Sequence, residues 1–169
     1  QAQGELDRAM GFFEQALAIR MAALGEKHVD VAQTYFCMGV ALHTQGELGR
    51  AMELYEKALA IYKAALGDQH IDMASVYYNM GAVLQAQGEL DRAMGFFEQA
   101  LAIRKAALGE QHIDVAAIYF DMGVALYTQG ELGRAMELYE KALAIYKAAL
   151  GDQHIDMASV YYNMGAVLQ

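Results

Sequence analysis

An all-α solenoid of antiparallel helix pairs is the fold this sequence predicts, and three observations predict it. The string Gln-Gly-Glu-Leu begins at Gln3, Gln45, Gln87 and Gln129, 42 residues apart each time. A fixed period of that size marks a stack of like supersecondary units. Within each unit, apolar residues recur at helical spacing. No Pro occurs in the 169 residues, so every backbone N–H is free to join a helix ladder.

The longer repeat is a pair of units. Residues 45–85 and 129–169 are identical at all 41 positions. Residues 3–44 and 87–128 differ at seven of 42: Met21/Lys105, Lys27/Gln111, Val29/Ile113, Gln33/Ala117, Thr34/Ile118, Cys37/Asp121 and His43/Tyr127. The pattern reads as a recent natural duplication of an 84-residue block. One array over 1–169 is expected, in units 3–44, 45–86, 87–128 and 129–169. With no initiator Met, it reads as part of a longer array.

Each unit is expected to hold a helix B followed by a helix A. A lone helix B, about 5–24, comes first. The next helix B, Glu47–Leu66, carries Leu48, Met52, Tyr55, Leu59, Tyr62 and Leu66 at spacings of four and three. A second apolar stripe follows Ala51, Leu54, Ala58, Ile61 and Ala65. Two adjacent stripes suit a helix wedged between two neighbours, and twenty residues at 1.5 Å rise span roughly 30 Å. Gly67 ends this helix where a left-handed cap costs glycine least. The link through His70 is short, so the next helix turns back antiparallel. That helix A runs from about Ile71 to Ala86, with Asp72 in its first turn, where the helix dipole favours a carboxylate. The antiparallel pairs fall at about 29–66, 71–108 and 113–150, and a lone helix A, about 155–169, closes the chain. Gly39, Gly81, Gly123 and Gly165 lie inside helices, where glycine costs about 1 kcal/mol relative to alanine. Recurrence in every unit implies that two helix backbones approach closely there.

Net charge is −9, divided as −2, −2, −3 and −2 over the four units. An even negative charge argues against nucleic acid, which needs clustered Lys and Arg, and favours neutral or basic partners. Cys37 is the single cysteine, so no disulfide framework exists and a reducing, cytoplasmic setting is expected. No run of 18 apolar residues and no charged-then-apolar leader appears, so no membrane partner is expected.

The order Tyr77, Met80, Gly81, Leu84, then Ala93, Phe97, Ala100 resembles the tetratricopeptide repeat. It recurs as Tyr35, Met38, Gly39, Leu42, Ala51, Tyr55, Ala58 and as Tyr119, Met122, Gly123, Leu126, Ala135, Tyr139, Ala142. The usual unit has about 34 residues. The additional residues fall in segments such as Leu66-Gly67-Asp68-Gln69-His70-Ile71-Asp72-Met73-Ala74. This is similar to the linker of the 42-residue variety found in kinesin light chains. Where that linker has Pro, this chain has Val29, Ile71, Ile113 or Ile155, which softens the start of helix A without moving it. The resemblance implies a right-handed superhelix, a non-enzymatic protein-interaction role and a concave groove lined by the A helices.

Catalytic and metal chemistry finds little support. His28, His70, His112 and His154 recur with an Asp two residues on, but copies one repeat apart lie on the order of 10 Å from each other. Zinc needs ligands about 2 Å away, so these histidines are expected to cap or pack the B-to-A turn. No nucleophile has a His and an acid at motif spacing, and no phosphate-cradling loop appears. No catalytic residue, metal or cofactor is expected.

By matching positions, the groove candidates are Phe36, Val40 and His43; Tyr78, Asn79 and Gln85; Phe120, Asp121, Val124 and Tyr127; and Tyr162 and Asn163. Asn79 and Asn163 match the family position whose amide bonds a bound peptide's backbone. The Lys and Arg of family members that clamp a chaperone's terminal carboxylate have no counterpart along this stripe. A peptide with apolar and basic character is the expected ligand. The alternative is a self-assembling spacer with no groove ligand. Its surfaces would be Leu6, Met10, Phe13 and Leu17 on the first helix B and Met157, Tyr161, Met164 and Leu168 on the last helix A. Head-to-tail stacking, or a domain-swapped dimer, would cover both.

Overall fold

The structure, a computed structural model, describes residues 2–169, with side chains from residue 4 onward. Among these residues are eight helices and no strand: α1 (Ala2–Leu24), α2 (Val29–Thr44), α3 (Leu48–Leu66), α4 (Ile71–Ala86), α5 (Leu90–Leu108), α6 (Ile113–Thr128), α7 (Leu132–Leu150) and α8 (Ile155–Val167). The odd-numbered helices are the expected B helices and the even-numbered ones the A helices.

The turns have local chemical causes. At the end of α2, the Gly46 N–H donates to the His43 carbonyl and the Glu47 N–H to the Leu42 carbonyl, both at 2.9 Å. This is the paired bonding of a glycine-capped helix end, and it recurs at Gly88 and Gly130. Gly67 caps α3 with φ 87 and ψ 167. The expected positive φ is there, but ψ is extended rather than left-handed helical, a combination open to glycine alone. The first helix begins at Ala2 rather than near residue 5, because Gly4 makes no turn: among the described residues no helix precedes it.

The chain divides into two compact units, Gln1–Val83 and Leu84–Gln169. In the first, α1 packs on α2 and α2 on α3. Val31, Ala32, Met38 and Leu42 of α2 are buried, as are Ala51, Tyr55, Ala58 and Tyr62 of α3. In the second, α5 packs on α6, α6 on α7 and α7 on α8, and α6 also meets α8. Its core joins Val115, Ala116 and Leu126 to Ala135, Tyr139, Ala142, Ile145 and Tyr146, then to Met157 and Val160.

One difference between the units has a direct structural partner. Thr34 is buried in α2, where its hydroxyl accepts from Arg20 Nη1 at 2.7 Å and donates to the Asp30 carbonyl at 2.8 Å. In the second unit Ile118 stands at that position, fully buried, and Arg104 instead pairs with the Asp114 carboxylate at 3.6 Å.

Candidate peptide-binding faces and helix ends

The four repeated histidines sit at the entries to the A helices. In α2, α6 and α8 the histidine is the N-cap residue, its backbone extended. His112 Nδ1 accepts from the Asp114 N–H at 3.2 Å, and His28, His70 and His154 do the same toward Asp30, Asp72 and Asp156. A ring nitrogen here satisfies one of the N–H groups that the first turn leaves without a partner. Among the described residues, no group of three or more His, Cys, Asp or Glu side chains gathers as a metal site would require.

The A-helix faces divide into inner and outer parts. Phe36 and Phe120 are half-buried, each with its ring 5.8 Å from a buried tyrosine, Tyr55 and Tyr139 respectively. These rings belong as much to the A–B packing as to any open surface. Further out, Val40 and Tyr127 are exposed, and Tyr162 is 79 % exposed. Tyr78, Asn79, Gln85, Asp121, Val124 and Asn163 are half-buried. Asn79 Nδ2 donates to the Ser75 carbonyl at 2.8 Å, and Asn163 Nδ2 to that of Ser159 at 2.9 Å. One donor of each amide is thereby tied to its own helix. His43 is half-buried, and loss of solvent lowers its imidazole pKa below the ordinary value.

Carboxylates gather around one tyrosine in each unit. Tyr62 is buried in α3, and its hydroxyl donates to Gln33 Oε1 at 2.9 Å. Its pKa is pushed up to about 12, first by burial and then by Asp72, Cys37 and Asp30. Tyr146 in α7 is likewise pushed up to about 12, by burial and then by Asp156, Asp121 and Asp114. These acids come from α2 and α4 in the first unit, and from α6 and α8 in the second. The sequence stripes do not reveal this, because the tyrosine lies on a B helix and its acids lie on A helices.

The end surfaces differ from expectation. On α8, Met157 is buried at 3 % exposure, and Met164 packs on the same core. The expected four-residue stripe is covered only in part: Tyr161 and Leu168, on the same side, are exposed, Leu168 at 79 %, whereas Leu126, the counterpart of Leu168 in α6, is 2 % exposed. On α1, Leu6, Met10, Phe13 and Leu17 are half-buried, and Phe12, Ile19 and Leu24 are exposed. Ile19 is 68 % exposed, whereas its counterpart in α7, Ile145, is 4 %.

The glycines inside the A helices also correct the expectation. A β-carbon on Gly39 would lie 2.6 Å from Tyr55 Cε1, and one on Gly123 2.6 Å from Tyr139 Cε1. The close approach is of an aromatic ring to a helix backbone, not of two backbones.

Comparison with known proteins agrees with this architecture. A profile of the family described as Tetratricopeptide repeat matches residues 1–64 and 72–148. A comparison with curated protein sequences gave no match. Among solved structures, BtubC (BKLC) from P. vanneervenii superposes with a TM-score of 0.88 at 27 % identity, covering 98 % of this chain and 66 % of its own. The chain thus spans just under two thirds of that protein's length. A kinesin-light-chain-like protein of Podosopora anserina with nearly identical TPR-like repeats has a TM-score of 0.81 at 24 % identity, covering 99 % of this chain and 79 % of its own. The N-terminal domain of stress-induced protein-1 (STI-1) from C. elegans has a TM-score of 0.62 at 18 % identity, covering 83 % and 97 %. The last two speak to the fold alone.

Proposed function

The chain belongs to the tetratricopeptide repeat family, whose repeats generally mediate protein–protein interaction, and on that premise we propose a non-enzymatic scaffold that holds a peptide on its A-helix faces. The ligand is a segment with apolar anchors and basic flanks. The observation that carries this reading is the exposure of Tyr127 and Tyr162 on A helices that also carry Asp121 and Asp156, two of the acids that raise the Tyr146 pKa. Open aromatics supply contact area at small entropy cost, and the carboxylates favour Lys or Arg beside it. In the first unit Val40, Tyr78 and Asn79 lie on the A helices that carry Asp30 and Asp72. The Asn79 carbonyl and its second amide donor suit a ligand's backbone.

Selection from a randomised peptide library tests this, with a Val40→Ser, Tyr127→Ser, Tyr162→Ser variant as control. These positions are open, whereas Phe36 and Phe120 pack on Tyr55 and Tyr139 and their loss would confound binding with folding. Enrichment of basic, aromatic- or aliphatic-bearing peptides on the native chain alone is the expected result. Equal enrichment on both proteins would overturn the reading.

A second reading is self-association through exposed apolar residues, among them Ile19 and Leu168. Head-to-tail stacking and exchange of near-identical repeats would both cover them.

A further inference from the structure

An open cavity recurs at the same place in both units. In the second it has a volume of about 210 Å³, with walls from Met94 and Glu98 of α5 and Arg134 and Glu137 of α7, over Met122 and Leu126 of α6. The first unit repeats it at about 190 Å³, from Met10 and Glu14, Arg50 and Glu53, and Met38 and Leu42. None of the seven differences between the repeated blocks falls on it. The floor is apolar: Met122 is 6 % exposed and Leu126 2 %. Glu98, Arg134 and Glu137 are exposed at the mouth.

The mouth is short of positive charge. Arg134 is paired with Glu131, the N-cap residue of α7. Lys141 follows Glu137 by four residues, the spacing at which a lysine ordinarily neutralises a glutamate. Its ammonium instead lies 5.6 Å from the centre of the Tyr119 ring. Lys57 leaves Glu53 in the same way, 5.5 Å from the Tyr35 ring. Among the described residues, Glu98 and Glu137 have no cation within salt-bridge distance, nor have Glu14 and Glu53. An apolar slot with unpaired carboxylates at its edge matches a side chain built from an aliphatic stem and a terminal cation. Lysine has that build, burying its methylenes while the ammonium stays at the wet edge, and methionines adapt to the stem. We propose that each slot receives a lysine side chain of a partner protein. The slots open between B helices, so this contact is additional to the A-helix faces and does not rest on them.

Chains labelled at the methionine methyl groups test this, because Met94 and Met122 report from one slot and Met10 and Met38 from the other. The probe is N-acetyl-lysine N-methylamide, titrated into the high-millimolar range at constant ionic strength. Its norleucine analogue carries the stem without the charge. Saturable shifts at all four methyls are expected with the lysine probe, and binding weaker by about tenfold with norleucine. In a Glu98→Gln, Glu137→Gln variant the lysine probe should weaken by a similar factor at Met94 and Met122 alone, with the first slot as the control in the same molecule. Both substitutions are at exposed positions, and circular dichroism checks that the variant is folded. Methyls that do not respond to the lysine probe would overturn the slot. Norleucine binding as tightly as lysine, or full affinity in the variant, would overturn the pairing with the carboxylates. Equal weakening at Met10 and Met38 would show a long-range effect of charge and overturn the local contact.

Discussion

Tyr139 occupies the space that a side chain on Gly123 would need: its Cε1 lies 2.6 Å, and its Cδ1 2.8 Å, from the position of a β-carbon there. The ring is fully buried and cannot swing aside into solvent. A glycine costing about 1 kcal/mol in helix propensity is therefore retained by packing. The contact ties α6 to α7 at the centre of the second unit, as Gly39 and Tyr55 tie α2 to α3 in the first.

Gly123→Ala is accordingly expected to destabilise by about 1–3 kcal/mol through overpacking, whereas Gly165→Ala meets no neighbour and gains helix propensity. Thermal melts at low protein concentration should show the first variant lowered by several degrees and the second unchanged or raised. Equal melting temperatures would contradict the seating of the rings.

Tyr62 and Gln33 should be energetically coupled. Their 2.9 Å hydrogen bond joins α3 to α2, and a double-mutant cycle with Tyr62→Phe and Gln33→Ala should return about 0.5–1.5 kcal/mol. A coupling of zero would mean that the bond does not persist in solution.

Stability should fall at alkaline pH. Tyr62, Tyr139 and Tyr146 titrate near 12 in the folded chain, with burial the leading cause in each, against about 10 when unfolded. Between these values the unfolded chain has released protons that the folded chain still holds, so stability declines as pH rises. It is fully present below pH 10 and is lost progressively toward 12. Denaturant melts from pH 9 to 12 should show this decline, with a shallower slope in Tyr146→Phe. A flat profile would contradict the burial of these hydroxyls.

Removing a histidine cap should weaken the start of its helix. His112→Ala is expected to cost on the order of 1 kcal/mol, and His112→Asp to retain most of the stability, since Asp is a strong N-cap residue. Hydrogen exchange in the first turn of α6 reports the effect locally. Protection that is the same in both variants would assign His112 a packing role alone.

Much of the fold was legible in the sequence because each unit repeats its own punctuation. Gly67 and its copies end the B helices, and the pattern predicts helix A at about Ile71–Ala86, where α4 lies. The faces were harder to read. Met157 and Leu168 belong to one stripe and, about three turns apart, share one side of the helix, yet Met157 is buried and Leu168 exposed. Only the neighbouring helices decide how much of a stripe is covered. The extent to which Phe36 and Phe120 are buried is set the same way, by Tyr55 and Tyr139 about nineteen residues on in the following helix. The acids that help raise the pKa of Tyr62 and Tyr146 likewise come from helices that no single window contains.

The central claim is that the A-helix faces hold the ligand. Amide chemical shifts of the labelled chain, recorded while an enriched basic peptide is added, test it most directly. The account predicts shifts concentrated at Val40, His43, Val124, Tyr127 and Asn163, weakening as salt screens the carboxylates. Shifts confined to the outer sides of α3, α5 and α7, with the A helices silent, would contradict it.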